Sequence, residues 1–101
     1  MPGRAPKAKG SAFERELVNA FTATGITAER AWGSNGKALG HAETVDLTAN
    51  GCRIQAKRRK AVPAWLTIPD GADAVAVRED RGETVILLRL SDFVRLIKEG
   101  W

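Results

Sequence analysis

Three side chains with chemistry to offer lie on two short alternating runs joined by an Asn-Gly dipeptide. Asp46 stands in TVDLTA (44–49), and Gln55 and Lys57 stand in CRIQAK (52–57). Asn50-Gly51 is the preferred dipeptide for a two-residue hairpin turn, because both central positions need a positive φ, and such a turn fixes the register of its strands. With Ala49 opposite Cys52, Leu47 faces Ile54, Asp46 faces Gln55, Val45 faces Ala56 and Thr44 faces Lys57. Val45, Leu47, Cys52, Ile54 and Ala56 then share one face, and Asp46, Gln55 and Lys57 share the other. Directly opposed residues have Cβ atoms about 4.5–5.5 Å apart, so two oxygen donors and an amine converge with no long-range contact assumed. A hard cation such as Mg²⁺ takes oxygen donors, and one or two carboxylates suffice beside water and a substrate phosphate. A neighbouring lysine can polarise the attacking water. The solvated face of an ordinary amphipathic hairpin shows the same pattern; only Asp46, disfavoured in a strand interior, asks for a reason there.

Other elements must position this hairpin. The stretch 1–10 (MPGRAPKAKG) is rich in Pro, Gly and Lys/Arg without apolar periodicity and reads as a flexible basic arm ahead of a single domain over 11–101. Ser11 opens a helix in which Phe13, Leu17, Ala20 and Phe21 recur at helical spacing, with Gly25 placed to end it. Ser11 to Glu14 has the form of a capping box, which alone could account for Glu14. A strand is expected over 26–32, where Ile26, Ala28 and Arg30 alternate, followed by a glycine-rich loop over 33–43 that holds Ser34, Lys37 and His41. After the basic run Lys57 to Lys60, the segment 62–71 reads as a turn or short helix carrying Trp65. Two more strands are expected over 73–77 and 84–89 around a polar turn, and a final helix capped by Ser91. Trp32 and Trp65 are expected in the core rather than stacked on bases.

Composition narrows the class of partner. The chain has 101 residues, 44% of them hydrophobic and 28% charged, which fits one small globular domain. Its net charge of +4 is unevenly spread: residues 1–60 carry 11 Lys/Arg against 5 Asp/Glu, and residues 61–101 carry 5 against 7. A polyanion is therefore expected on the first part. One cysteine, Cys52, excludes an internal disulfide, and with one histidine, His41, it does not make a zinc site. No apolar stretch approaches the roughly 18 residues of a membrane span, and a cytoplasmic location is expected.

The run Lys9 to Val18 (KGSAFERELV), then Gly33-Ser34, Val45-Asp46-Leu47 and Gln55-Ala56-Lys57, resembles archaeal-type Holliday junction resolvases of the PD-(D/E)xK nuclease superfamily. Members carry KG and ERE on an N-terminal helix and place D, then E-x-K, on a hairpin. The resemblance implies a restriction-endonuclease-like α/β core, with a mixed, largely antiparallel sheet of about five strands flanked by helices. It implies that Glu14, Asp46 and Gln55 hold Mg²⁺, with Mn²⁺ able to substitute, and that Lys57 is the catalytic lysine. Lys9, Arg15, Ser34, Lys37, Arg58, Arg59 and Lys60 would then contact DNA. The expected substrate is four-way or otherwise branched DNA, cut by a homodimer. The position that is Glu in the usual pattern is Gln55 here, a neutral amide. Two alternatives follow: a DNA-binding module that keeps the fold with weak or lost catalysis, and a nicking or restriction-type endonuclease.

Overall fold

In the computed structural model, residues 5–31 and 44–100 are described, with side chains from residue 10 onward. The element order is α1 (Ala5–Thr22), β1 (Ala28–Arg30), β2 (Leu47–Ala49), β3 (Cys52–Ile54), a single 3₁₀ turn (Ala64–Leu66), β4 (Ala74–Val77), β5 (Val85–Leu88) and α2 (Leu90–Gly100). Trp32, Ser34, Lys37, His41 and Trp101, the side chain of Lys9 and the glycine-rich loop lie outside the described residues.

α1 begins at Ala5, six residues ahead of the expected start at Ser11. Residues 5–10 of the expected arm are therefore helical: Ala5, Ala8 and the lysines are strong helix formers, and Pro6 falls in the first turn, where its missing N–H costs nothing. Ser11 is thus an interior residue and caps nothing. The helix ends where the sequence places its stop. Gly25 has φ +86°, its N–H donates to the Thr22 carbonyl at 3.0 Å, and the Ile26 N–H reaches back to the Phe21 carbonyl at 3.2 Å. This is a Schellman motif, and the apolar pair that accompanies it, Phe21 and Ile26, is buried.

Strands β1, β2 and β3 form one antiparallel sheet in sequence order, with Ala28↔Ala49, Arg30↔Leu47, Leu47↔Ile54 and Ala49↔Cys52 among the pairs. Asn50 and Gly51 have φ +49° and +84°, the backbone that a two-residue hairpin of this twist requires. α1 packs on β1 and β2. Leu17, Phe21, Ile26, Leu47, Ala49 and Ile97 form the buried core, so α2 closes the same core that α1 and the sheet create. Phe93 of α2 meets Phe21 edge-to-face, with ring centroids 6.3 Å apart. The amide of Asn50 donates to the Ile97 carbonyl at 2.9 Å and so satisfies a backbone acceptor in the last turn of α2. Cys52 is buried on the apolar side of the hairpin; burial pushes its thiol pKa up, and the nearby Arg53 charge offsets part of that.

The expected single mixed sheet is not formed. Among the described residues β4 and β5 make a separate two-stranded antiparallel sheet, from Ala74↔Leu88 to Val77↔Val85. The long connection between β3 and β4 contains Pro63 and Pro69, which have no N–H to give a sheet ladder, and β5 meets β3 across a groove rather than through strand pairing. Trp65, expected in the core, is 59% exposed on the 3₁₀ turn, where it lines an open groove with Val75 and Val77 of β4.

Asn50 does two separable things, supplying a tolerated left-handed backbone and a donor to α2. Asn50→Gly keeps the first and loses the second, and should cost about 1 kcal/mol in urea unfolding. Asn50→Ala loses both and should cost about 2 kcal/mol or more. Equal stability of the two variants would show that the turn does not need a residue at ease with positive φ.

Candidate active site

A carboxylate leaves water only where donors replace it, and this chain does that twice. Among the described residues the buried polar or charged ones are Glu14, 3% exposed, and Asp46, 9% exposed. Glu14 lies on the face of α1 turned to β1. Its Oε1 accepts the Nε–H of Arg30 at 2.9 Å, and the Nη2 of the same guanidinium donates to Ser11 Oγ at 3.0 Å. Ser11 and Glu14, three residues apart on one helix, are neighbours on its surface, so one arginine reaches both. The form of a capping box thus has another cause: Ser11 and Glu14 clasp Arg30.

Asp46 is held differently. The hairpin register is kept as far as Leu47↔Ile54 and stops there. The Asp46 N–H donates to the Ile54 carbonyl at 2.8 Å, one residue out of step with that pair, as happens at a β-bulge. The expected pairs Asp46 with Gln55, Val45 with Ala56 and Thr44 with Lys57 are therefore not strand pairs. Instead the Asp46 carboxylate turns in and its Oδ2 accepts the Ala56 N–H at 2.7 Å, a bond that a buried anion gains and a regular ladder would not give it. Ala56 lies between Gln55 and Lys57, so both are one Cα step, about 3.8 Å, from the residue that Asp46 grips. Ala56 packs toward the core while Gln55 and Lys57 are exposed on either side of it. Gln55 also lines a groove between β3 and β5.

The two carboxylates belong to one backbone region. Ala31, which follows Arg30, donates its N–H to the Asp46 carbonyl at 2.8 Å, so the strand that carries the partner of Glu14 is bonded to the residue that carries the second acid. The family model described as archaeal Holliday junction resolvase (hjc) matches residues 5–92. The chain belongs to the archaeal Holliday junction resolvase family. Neither a comparison with curated proteins nor one with solved structures returns a match. The matched span takes in all of α1, the three-stranded sheet, the hairpin β4–β5, the first residues of α2 and every residue of the expected resolvase site.

The described residues hold no cluster of three or more His, Cys, Asp and Glu side chains. Glu14, Asp46 and Gln55 offer two carboxylates and a neutral amide oxygen, donor types that suit Mg²⁺ with water and phosphate completing its shell. Arg15, Arg58, Arg59 and Lys60 are exposed, available to a polyanion. No helix among the described residues is long and apolar enough to cross a membrane.

Two residues of this region, Arg30 and Ser11, were not singled out by sequence reasoning. A signal for Arg30 exists: in the alternation Ile26, Ala28, Arg30 it falls on the core-facing side of β1, where a cation needs a carboxylate partner. Ser11 has no comparable signal, because a serine three residues before a glutamate is the pattern of a cap.

Asp46→Leu leaves the Ala56 amide without an acceptor and should lower stability by roughly 1–3 kcal/mol, whereas Asp46→Asn keeps an acceptor oxygen and should stay within about 1 kcal/mol of the parent. Urea unfolding followed by circular dichroism decides it. Equal losses in both would mean that the bond to Ala56 does not hold the hairpin end.

Proposed function

We propose that the chain is a Mg²⁺-dependent endodeoxyribonuclease that cuts branched DNA, the four-way junction in particular, as a homodimer. The observation that carries this reading is the burial of Glu14 and Asp46, the two acids of the family pattern, in a domain that buries no other charged residue among those described. Burying a carboxylate costs several kcal/mol unless it is bonded, so two of them beside one strand call for a purpose beyond folding.

Glu14, Asp46 and Gln55 would hold the cation. When bound, Mg²⁺ supplies charge stabilisation at the scissile phosphate and makes water a better nucleophile at neutral pH. The chain does the rest. Arg58, Arg59 and Lys60, which continue from the hairpin, hold the phosphates that flank the cleaved bond and fix the register of the DNA. The ammonium of Lys57, next to Ala56, orients the attacking water and stabilises charge on the phosphate oxygens. The buried carboxylates, fixed by Arg30 and by the Ala56 amide, need little rearrangement on binding.

The dimer is supported by the second sheet. An isolated two-stranded hairpin is marginal in water, and β4–β5 buries none of its residues: Val85 and Ile86, which point to opposite faces, are 54% and 58% exposed. A junction needs two cuts related by a two-fold axis, and a second copy docked on this apolar hairpin supplies both the cover and the second site. Ile86→Glu should shift the chain from dimer to monomer in analytical ultracentrifugation; a parent chain that sediments as a monomer would remove this part of the reading.

Cleavage is tested with Mg²⁺ on four-way junction, duplex and single-stranded DNA. Lys57→Ala should lower the rate on the junction by about 100-fold or more while leaving binding nearly unchanged. Gln55→Glu restores the usual acid and should raise cleavage or metal affinity. Binding without Mg²⁺-dependent cutting in parent and Gln55→Glu alike would favour a DNA-binding module that has lost catalysis; preferential cutting of duplex would favour a restriction-type enzyme.

A further inference from the structure

The guanidinium of Arg30 stands on the oxygen that a cation would use. Its Nε is 2.9 Å from Glu14 Oε1, the side chain of Glu14 is 5% exposed, and Ser11 Oγ pins the other end of the fork at 3.0 Å. The backbone of Arg30 is paired into the strand that meets Asp46, so its guanidinium is presented from the region that joins the two acids. The formal charges explain what this does. Counting these groups alone, Glu14 and Asp46 contribute −2, Gln55 contributes nothing and Arg30 returns +1, so the four together offer a divalent ion −1, and Lys57 opposes that. A positive charge held close to a divalent ion in a partly buried site repels it and weakens its binding.

We infer that Arg30 is a positioning residue that holds Glu14 when DNA is absent and keeps divalent affinity low, so that metal and DNA load together. This rests on the proposed metal role of Glu14 and Asp46. A DNA phosphate brings the negative charge that the donor set lacks. Phosphate and cation then each strengthen the binding of the other, and linkage makes the two effects equal in size. The arrangement suits a nuclease: without substrate the acids stay ordered, paired and metal-poor, and the hydrolytic site is completed only on DNA. A guanidinium does this better than an ammonium, because its fork spans Ser11 and Glu14 at once.

Calorimetric titration of Mn²⁺ into the full chain tests it, with and without a junction DNA whose own Mn²⁺ uptake is measured and subtracted. The parent should bind Mn²⁺ about tenfold more tightly with DNA than without, and the junction should bind more tightly by the same factor when Mn²⁺ is present. Arg30→Gln should bind Mn²⁺ in the absence of DNA about tenfold more tightly than the parent, with the DNA-dependent gain largely lost, while Arg30→Lys, which keeps the charge, should stay near the parent. An Arg30→Gln variant that binds Mn²⁺ no better than the parent would overturn the inference. Should Arg30→Gln fail to fold, equal Mn²⁺ affinity of the parent with and without DNA would overturn it as well. Asp46→Asn separates this from the reading beneath it. If its Mn²⁺ affinity equals the parent's, the metal site itself is wrong; if it loses affinity while Arg30→Gln gains none, only the role of Arg30 falls.

Discussion

Among the described residues two carboxylates are buried beside a core cluster of six apolar side chains, and the molecule is arranged around keeping them there. An unpaired buried anion would cost more than so small a core can offset, since whole domains are stable by only about 5–15 kcal/mol. Each acid is therefore given a donor from a different element. Glu14 on α1 takes a charged donor from β1, and the bond that satisfies it also fastens helix to sheet. Asp46 takes a backbone amide from the chain just past β3, and the bond that satisfies it closes the open end of the hairpin. In both cases one hydrogen bond serves stability and places an oxygen at the same time. This is why the site tolerates so little supporting structure around it.

Much of this is legible in the chain where local chemistry decides. Gly25 ends α1 because only a residue at ease with positive φ fits there, and Asn50-Gly51 sets the register of Leu47↔Ile54 for the same reason. These are short-range constraints, and short-range reading finds them. It fails where a long-range demand overrides the local one. The regular ladder would carry Asp46 opposite Gln55, but a buried carboxylate competes for the Ala56 amide and the ladder yields, which no periodicity records. The role of Ser11 is hidden similarly: its local pattern is a cap, and its partner lies 19 residues away on another element. The start of α1 at Ala5 shows the opposite error, in which a basic, proline-containing stretch is judged by its charge rather than by the helix propensity of its alanines and lysines.

The separation of the two sheets is the largest departure from the expected architecture, and it has a physical consequence. A five-stranded sheet would place β4 or β5 beside β3 and bury a face of each. Among the described residues β3 pairs with no strand but β2, and β5 keeps exposed Val and Ile on both faces. Open edges and uncovered aliphatic faces are usually managed by short strands, charge or a partner. β3 has three residues and Arg53 at its centre, which answers for the edge. Nothing on β4–β5 answers for its faces in the same way, since its charges, Arg78, Glu79, Asp80, Arg81 and Glu83, are gathered in the connecting turn. The residues matched by the family model include this hairpin, so its exposed faces lie within the matched part of the chain.

Position 55 stands apart from the two acids in a way that bears on chemistry alone. Glu14 and Asp46 are buried and bonded, so folding and any catalytic role constrain them together, and replacing either disturbs both. Gln55 is exposed and lies beyond the last paired residue of β3, so the fold does not choose between an amide and a carboxylate there. A glutamate at this place would stand in water, between Arg53 and Lys57, at little cost. On the proposed reading, the neutral amide at this position bears on the charge offered to the cation and not on folding. With Arg30 already returning one positive charge to Glu14, the protein supplies less negative charge than a divalent ion would draw on. On the proposed reading the remainder comes from the phosphate backbone, the strongly anionic partner that suits the basic segment after β3.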